Sequence, residues 1–343
     1  MSNKLPSPDC AKYAYEAWPT LVRMRNRSDV LLVYSAGRSG HVTPYGRIEL
    51  RRTQDLGASW THPRVVFDGP VDDRDPGIVE TKNRSLLLTW KSSFADSGVP
   101  PDLQQRFNPE HSTARDYIGE WMARSTDGGL SWSAPYRVDL HAPHGPIQLS
   151  NGQLMYYGKG TGGIVFIGRS DDDGLTWRRS SFSANTGAVG SHLTELHAVE
   201  TATAGRVILH IREQSNGGSD HSFITQFISN DFGMSWEPTG RVSEDGEHPS
   251  HLLRLEDGRI VFTTSRRLAT PHRGIIYRVS DEGNQWSAPI VLATIPSNGG
   301  GWDLGYPTTV QLPGMGRLLT VWYERPNGAS VATLAQHRWQ VPR

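Results

Sequence analysis

Cysteine is almost absent from this chain. Cys10 is the only thiol in 343 residues, which excludes a disulfide within one chain and fits a reducing compartment. In Asp9-Cys10-Ala11 it has no basic neighbour to mark a reactive thiolate, and it reads as inert. Charge of one sign is missing too: 35 Lys and Arg balance 35 Asp and Glu, with no basic run. Nucleic acid and anionic membrane are therefore poor partners for it. No apolar stretch is long enough for a membrane helix, and Met1 to Cys10 has no apolar leader core. A cytoplasmic location is expected unless a leader has been removed. No sustained helical period occurs either, so the chain reads as all-β.

What the chain has is one turn, repeated. In Ser170-Asp171-Asp172-Asp173-Gly174-Leu175-Thr176-Trp177, Asp172 can accept backbone N–H groups and Gly174 supplies a positive φ. Trp177 folds back beside the turn. Asp171 and Asp173 read as solvated. The pattern recurs at Ser125–Trp132 and Ser229–Trp236, and in degraded form at Thr53–Trp60 and Ser280–Trp286. The five tryptophans lie 45 to 72 residues apart, which suits one four-stranded sheet per repeat.

Short apolar β runs lie between the turns, centred near Leu31, Leu87, Leu154, Val207, Val261 and Leu318. Six runs predict a single domain over 1–343: a six-bladed β-propeller of four-stranded antiparallel sheets, with roughly 55–60 residues per blade. The last blade has no such turn, and the N-terminal segment is expected to complete it, with residues 1–12 a flexible tail. The stretch from Ala95 to Gly119 reads as a long loop in the second blade.

These turns are the Asp boxes of the sialidase (neuraminidase) superfamily, which the chain resembles from about Tyr15 to Glu324. More specific segments carry the resemblance. Thr194-Glu195-Leu196-His197 with Arg206–Arg212 resembles the segment holding the glutamate that polarises a tyrosine nucleophile and an arginine of the carboxylate-binding triad. Pro271-His272-Arg273 resembles the segment of another triad arginine. Gly305-Tyr306-Pro307 resembles the nucleophile segment, and Leu319–Glu324 the strand whose glutamate orients the first arginine. The resemblance implies an exo-acting glycoside hydrolase for a terminal anionic sugar, with Tyr306 and Glu195 as the nucleophile pair and Arg212 and Arg273 as a carboxylate clamp. It implies Asp75, in Asp75-Pro76, as a substrate contact, and it implies no metal and no cofactor.

The chemistry is coherent on its own terms. A phenol with an unperturbed pKa near 10 needs a base such as Glu195 to attack an anomeric carbon. Paired guanidiniums grip a carboxylate, and a neutral tyrosine avoids the repulsion a carboxylate nucleophile would meet from an anionic sugar. Two positions depart from the family. Its early Arg-Ile-Pro stands here as Ala17-Trp18-Pro19, which leaves Arg74 as the candidate replacement arginine and deprives Glu324 of its partner. The loop that supplies an acid/base aspartate reads Ser35-Ala36-Gly37-Arg38-Ser39-Gly40-His41, which makes His41 the candidate proton donor or base.

Plainer readings stand beside these. Glu195 and Arg212 could form a structural ion pair, Tyr306 could be a packed turn aromatic, His41 an exposed loop residue, and Arg74 with Asp75 a salt bridge. His192–His197 superficially resembles a zinc motif, but in the wrong order and on a strand. His141, His144, His248 and His251 read as loop residues near the mouth of the ring. Two other functions use the same parts. A polysaccharide lyase for uronic acids would take Tyr306 or His41 as the proton-abstracting base. A non-catalytic carbohydrate-binding propeller would need neither.

Overall fold

A computed structural model describes residues 3–4, 13–25, 29–93, 116–184, 192–214, 221–268, 273–296, 303–325 and 329–342. Cys10, His272 and most of the loop expected from Ala95 lie outside these residues.

The chain forms six four-stranded antiparallel sheets, arranged as the blades of a propeller. Blade 1 contains β2 (Tyr15–Arg23), β3 (Val30–Arg38), β4 (Arg47–Thr53) and β5 (Arg64–Phe67). Blade 2 contains β6 (Asp72–Glu80), β7 (Leu86–Ser93), β8 (Gly119–Ser125) and β9 (Tyr136–Arg137). Blade 3 contains β10 (Ile147–Gln148), β11 (Leu154–Lys159), β12 (Ile164–Ser170) and β13 (Arg178–Ser183). Blade 4 contains β14 (His192–Glu200), β15 (Val207–Gln214), β16 (Ser222–Ser229) and β17 (Glu237–Arg241). Blade 5 contains β18 (Glu247–Arg254), β19 (Ile260–Arg266), β20 (Gly274–Ser280) and β21 (Ile290–Thr294). Blade 6 contains β22 (Leu304–Gln311), β23 (Arg317–Glu324), β24 (Thr333–Gln340) and, as its outermost strand, β1 (Asn3–Lys4). Asn3 and Lys4 pair with Gln336 and Ala335, so part of the stretch expected to be a tail instead closes the ring.

The six apolar runs are the second strands β3, β7, β11, β15, β19 and β23. They are apolar without alternation because each has a neighbouring blade on both sides. The core consequently lies in the seams between blades. Leu31 and Val33 of blade 1 meet Leu86 and Leu88 of blade 2, and Ile208 of blade 4 meets Ile260 of blade 5. Tyr34 of blade 1 meets Val321 and Tyr323 of blade 6. The fourth strands of blades 3 and 4 are mostly exposed, and polar to match.

The Asp boxes turn the third strand of blades 1 to 5 into the fourth. Asp172 accepts Thr176 N–H at 2.9 Å and Ser170 Oγ–H at 2.7 Å, and Ser170 Oγ accepts Gly174 N–H at 2.9 Å. Asp55, Asp127 and Asp231 repeat this. Hydrogen bonds from Ser59 and Thr53 hold the Asp55 carboxyl down at about 2. Each box is also gripped by the previous blade. Arg52 reaches Gly128 O, Arg124 reaches Asp173 at 2.7 Å, and Arg169 reaches Gly233 O. Gln226 reaches Gly283 O at 2.9 Å, and Gln336 of blade 6 reaches Gly57 O at 2.8 Å. Asp173 is therefore not solvated as expected but forms a staple between blades, and exposed Asp171 pairs with Arg178.

Of the histidines expected in loops at the mouth, His144 and His251 lie inside, beside His197, which reads as a strand residue. His144 precedes β10, while His197 and His251 are on the inner strands β14 and β18, and all three are buried. Their ring centroids are 5.3, 4.9 and 4.6 Å apart. Below them the far ends of the inner strands line a cavity of about 420 Å³ that includes Thr20, Ala198, Leu252 and Val310. Burial pushes His144 down to about 3, against the pull of the Glu195 and Asp75 carboxylates. It pushes His197 and His251 well below the ordinary histidine value as well.

Two predictions follow from this packing. Asp172→Ala removes exposed hydrogen bonds and is expected to cost about 1 kcal/mol, whereas Leu209→Ala in a seam is expected to cost about 2–5 kcal/mol. Urea midpoints compare the two, and equal losses would show that the boxes hold the ring as strongly as the seams. The histidines make stability sensitive to acid. Below about pH 6.5 the unfolded chain takes up protons that the folded chain refuses, so stability falls with pH through that window. His251→Gln is expected to remove about one proton from that slope, roughly 1.4 kcal/mol per pH unit; an unchanged slope would contradict it.

Candidate active site

The inner strands lose register near one end of the ring axis. The breaks fall between Tyr15 and Thr20 on β2, Arg74 and Gly77 on β6, Thr194 and Leu196 on β14, and Gly305 and Thr308 on β22. At each of these four breaks one non-glycine residue has a left-handed backbone: Trp18 (φ 53°), Asp75 (φ 53°), Glu195 (φ 38°) and Tyr306 (φ 51°); a fifth break, between Glu247 and Ser250 on β18, has none. Such residues cost on the order of 1–3 kcal/mol each and persist where surrounding structure holds them, which is common at functional sites. A bulge also re-aims its side chain. Proline follows three of the four, at Pro19, Pro76 and Pro307, where a missing N–H breaks the ladder.

Two of the re-aimed side chains meet. Tyr306 Oη–H donates to Glu195 Oε1, and Arg212 Nη1 donates to both Glu195 oxygens at 2.8 Å. Burial and the Glu195 and Asp75 charges raise the Tyr306 phenol well above its ordinary value, so it is neutral. Burial opposes charge on Glu195, but Arg212, the Tyr306 hydrogen bond and Arg267 outweigh it and hold the carboxyl below its ordinary range. An ionised carboxylate thus accepts the proton of a neutral phenol.

Arg267 was not singled out from the sequence. It follows β19 directly, and its charge acts on Glu195, Tyr306 and Tyr323 alike. Gly305 (φ 148°) makes room for it, since a Cβ there would lie 3.0 Å from Arg267 Nη2. Arg267 Nε is buried with no hydrogen-bond partner among the described residues. Arg273, the residue expected in this role, is buried at the start of β20, where its carbonyl accepts Ile295 N–H at 3.0 Å. Arg267 thus joins Arg212 as an arginine whose charge registers at the tyrosine pair.

Blade 2 contributes Arg74 and Asp75. The Arg74 guanidinium lies 4.3 Å over the Trp18 ring, with Asp72 at 3.8 Å and Asp75 at 3.5 Å. Arg38 takes the Trp18 ring at 4.6 Å and is itself neutralised by Asp72. Burial works against charge on Asp75, yet Arg74 and His141 hold its carboxyl far below the ordinary value. Arg74 Nε, Asp75 Oδ1, His141 Nδ1 and Tyr323 Oη are buried without hydrogen bonds among the described residues. Such atoms are rare unless a water or ligand is missing.

His41 lies at the seam of blades 6 and 1. Its Nδ1 is 3.1 Å from Asp303 Oδ1 and 3.0 Å from Tyr15 Oη, and Tyr15 Oη–H donates to Asp303 at 2.8 Å. With the Tyr15 proton used on Asp303, His41 Nδ1 carries a ring proton toward Asp303. Burial opposes charge on Asp303, but hydrogen bonds from His41 and Tyr15 hold its carboxyl below the ordinary range. The ring is 5.2 Å from Trp18, which is 6.4 Å from Tyr306. Glu324 faces elsewhere: it accepts Trp322 Nε1–H at 2.7 Å, and Trp322 packs on Ile275 and Ile295 of blade 5. Tyr323 is the β23 residue beside Trp18 and Tyr306, at 6.2 and 6.1 Å.

The three inner histidines do not suit a metal. His197 Nδ1 accepts Leu252 N–H at 2.9 Å, which uses its lone pair, and its ring stacks on that of His251 at 17° instead of converging with it. Among the described residues no group of three or more His, Cys, Asp or Glu is arranged to hold an ion.

The BNR repeat-like domain family matches residues 103–318. No curated protein matches by sequence. Among solved structures, a protein of unknown function from Dyadobacter fermentans superposes with a TM-score of 0.75 at 23% identity, over 99% of both chains. The intramolecular trans-sialidase of Ruminococcus gnavus, in complex with oseltamivir carboxylate, gives 0.68 at 14% identity over 99% of this chain and 97% of that one. The Trypanosoma rangeli sialidase, as a covalent intermediate with 2,3-difluorosialic acid, gives 0.64 at 17% identity over 94% of this chain and 54% of that one. At these identities the likeness is one of fold. The chain thus belongs to the BNR repeat-like domain family, with a six-bladed propeller of sialidase-like fold.

Proposed function

We infer that this chain is an exo-acting glycoside hydrolase for a terminal sugar bearing a carboxylate. The observation that carries the reading is the buried Tyr306–Glu195 hydrogen bond, with Arg212 on the same carboxylate. Tyr306 Oη attacks the anomeric carbon as its proton passes to Glu195. The glycosidic C–O bond breaks, and protonated His41 gives its Nε2 proton to the departing oxygen. Water then attacks the same carbon, His41 takes the water's proton, and Tyr306 leaves and recovers its own from Glu195. Arg212 and Arg267 hold the sugar carboxylate, with Arg74 beside them and Asp75 accepting from a ring hydroxyl.

This arrangement couples binding to activation. In the empty site the arginine charges depress the basicity of Glu195. A substrate carboxylate offsets part of that charge and raises the affinity of Glu195 for the tyrosine proton at the moment the proton must move. The titration behaviour of the pair then belongs to the complex, not to the free protein.

The carboxylate-backed His41 also favours a second reading. An imidazole with Nδ1 fixed by Asp303 is a competent base, and it could remove the proton beside a uronate carboxylate, as a lyase does. Lysis yields an unsaturated, ultraviolet-absorbing product, whereas hydrolysis yields none.

Tyr306→Phe is expected to lower turnover of a terminal anionic sugar by a factor of about a thousand or more, with unfolding unchanged; full activity in that variant would overturn the assignment. Arg267→Ala is expected to weaken kcat/KM by roughly tenfold to a hundredfold, and Arg273→Ala much less. The reverse order would return the clamp to Arg273.

A further inference from the structure

The second strand of each blade runs toward the same mouth, and in five of the six blades it delivers a cation there. They are Arg38 at the end of β3, Lys91 near the end of β7, Lys159 at the end of β11, Arg212 near the end of β15, and Arg267 just beyond β19. Asp72 neutralises Arg38, and Glu195 pairs with Arg212. The two lysines differ. Among the described residues no carboxylate lies within ion-pairing distance of either ammonium, although Lys91 stands opposite Arg74 and Glu120 in the ladders of blade 2.

These lysines border the proposed site. The Lys91 charge reaches Asp75, and Lys159 feels Lys91, Glu195, Arg212 and Asp75 together. Partial desolvation first, and then the Lys91 charge, lower the Lys159 ammonium from its ordinary value. Near Tyr306 stand the cations Arg74, Lys91, Lys159, Arg212 and Arg267 and the carboxylates Asp75 and Glu195, with Asp72 shared between Arg74 and Arg38. One sugar carboxylate bound between Arg212 and Arg267 leaves this side still positive.

We propose that Lys91 and Lys159, on blades 2 and 3, form a second anion subsite beside the Tyr306–Glu195 pair, so that the preferred glycan carries a second negative group, a sulfate ester or a further carboxylate. The proposal rests on the reading of Arg212 and Arg267 as the holders of the first carboxylate. Two point-charge ammoniums on different blades suit an anionic group of either geometry, whereas the planar arginines fix the first carboxylate by paired bonds. Lys159 is exposed and Lys91 half-buried, so the subsite is open to solvent and its contribution falls with added salt.

The test is equilibrium binding to the full chain at low and high salt, and it needs no turnover. Three probes serve: a uronic acid methyl glycoside with one carboxylate, the same glycoside with one sulfate ester, and a disaccharide of two uronic acids. At low salt at least one dianionic probe is expected to bind about tenfold or more tighter than the monoanion. The double variant Lys91→Met, Lys159→Met is expected to erase that gap and keep the monoanion affinity, with thermal unfolding confirming its fold. Which dianion shows the gap tells sulfate from carboxylate. Equal binding of all three probes, no binding of either dianion, or a gap unchanged in the double variant overturns the proposal. Loss of the hydrolase reading through an active Tyr306→Phe chain would leave this measurement intact, so the two failures are distinguishable.

Discussion

Strain at the inner strands is tolerable only because the seams are so well buried. Each second strand is packed on both faces, and the large side chains with almost no exposure, among them Trp18, Tyr34, Tyr157 and Tyr323, come from inner and second strands near the axis. Four non-glycine residues in the left-handed region together cost several kcal/mol. A ring of seams, each made of buried Leu, Ile and Val worth about 2–5 kcal/mol apiece on truncation, readily offsets that. The residues proposed to act on substrate therefore occupy strongly constrained positions, which is what a pre-organised site requires.

Charge near the axis is graded. In and around blade 1, ions are paired: Arg38 with Asp72 of blade 2, Arg51 with Glu16 within the blade, and His41 with Asp303 of blade 6. Around Tyr306 the cations outnumber the carboxylates, and several buried polar atoms lack partners. Below, at the three histidines, burial removes charge altogether. On the proposed function, a negative ligand binds at the middle level.

The sequence made some of this legible and hid the rest, for physical reasons. The Asp boxes are local, with all their internal bonds within a few residues, so they could be read directly and they numbered the blades. Glu195, Arg212 and Tyr306 followed from that numbering. Arg267 was missed because it adjoins Arg266, which pairs with Glu247, and only the end of β19 decides which of the two turns toward Glu195. Asp303 and Tyr15 were missed as partners of His41 because their contacts span 262 and 26 residues across the closing seam. His248 and His251 looked like loop residues because a ring of inner strands around a polar axis does not show apolar alternation. A signal for those strands did exist: Trp18-Pro19, Asp75-Pro76 and Tyr306-Pro307 mark the register breaks.

The grip of each blade on the box of the next gives the ring a direction. During synthesis Arg52 must wait for Gly128, Arg124 for Asp173, and Arg169 for Gly233, so each nascent blade is finished by the one that emerges after it. The last grip runs backwards, from Gln336 to Gly57, and β24 also pairs with Asn3 and Lys4. Asn3, Lys4 and Gly57 thus stay unsatisfied until β24 appears, and a chain cut short before that strand leaves the ring open at this edge.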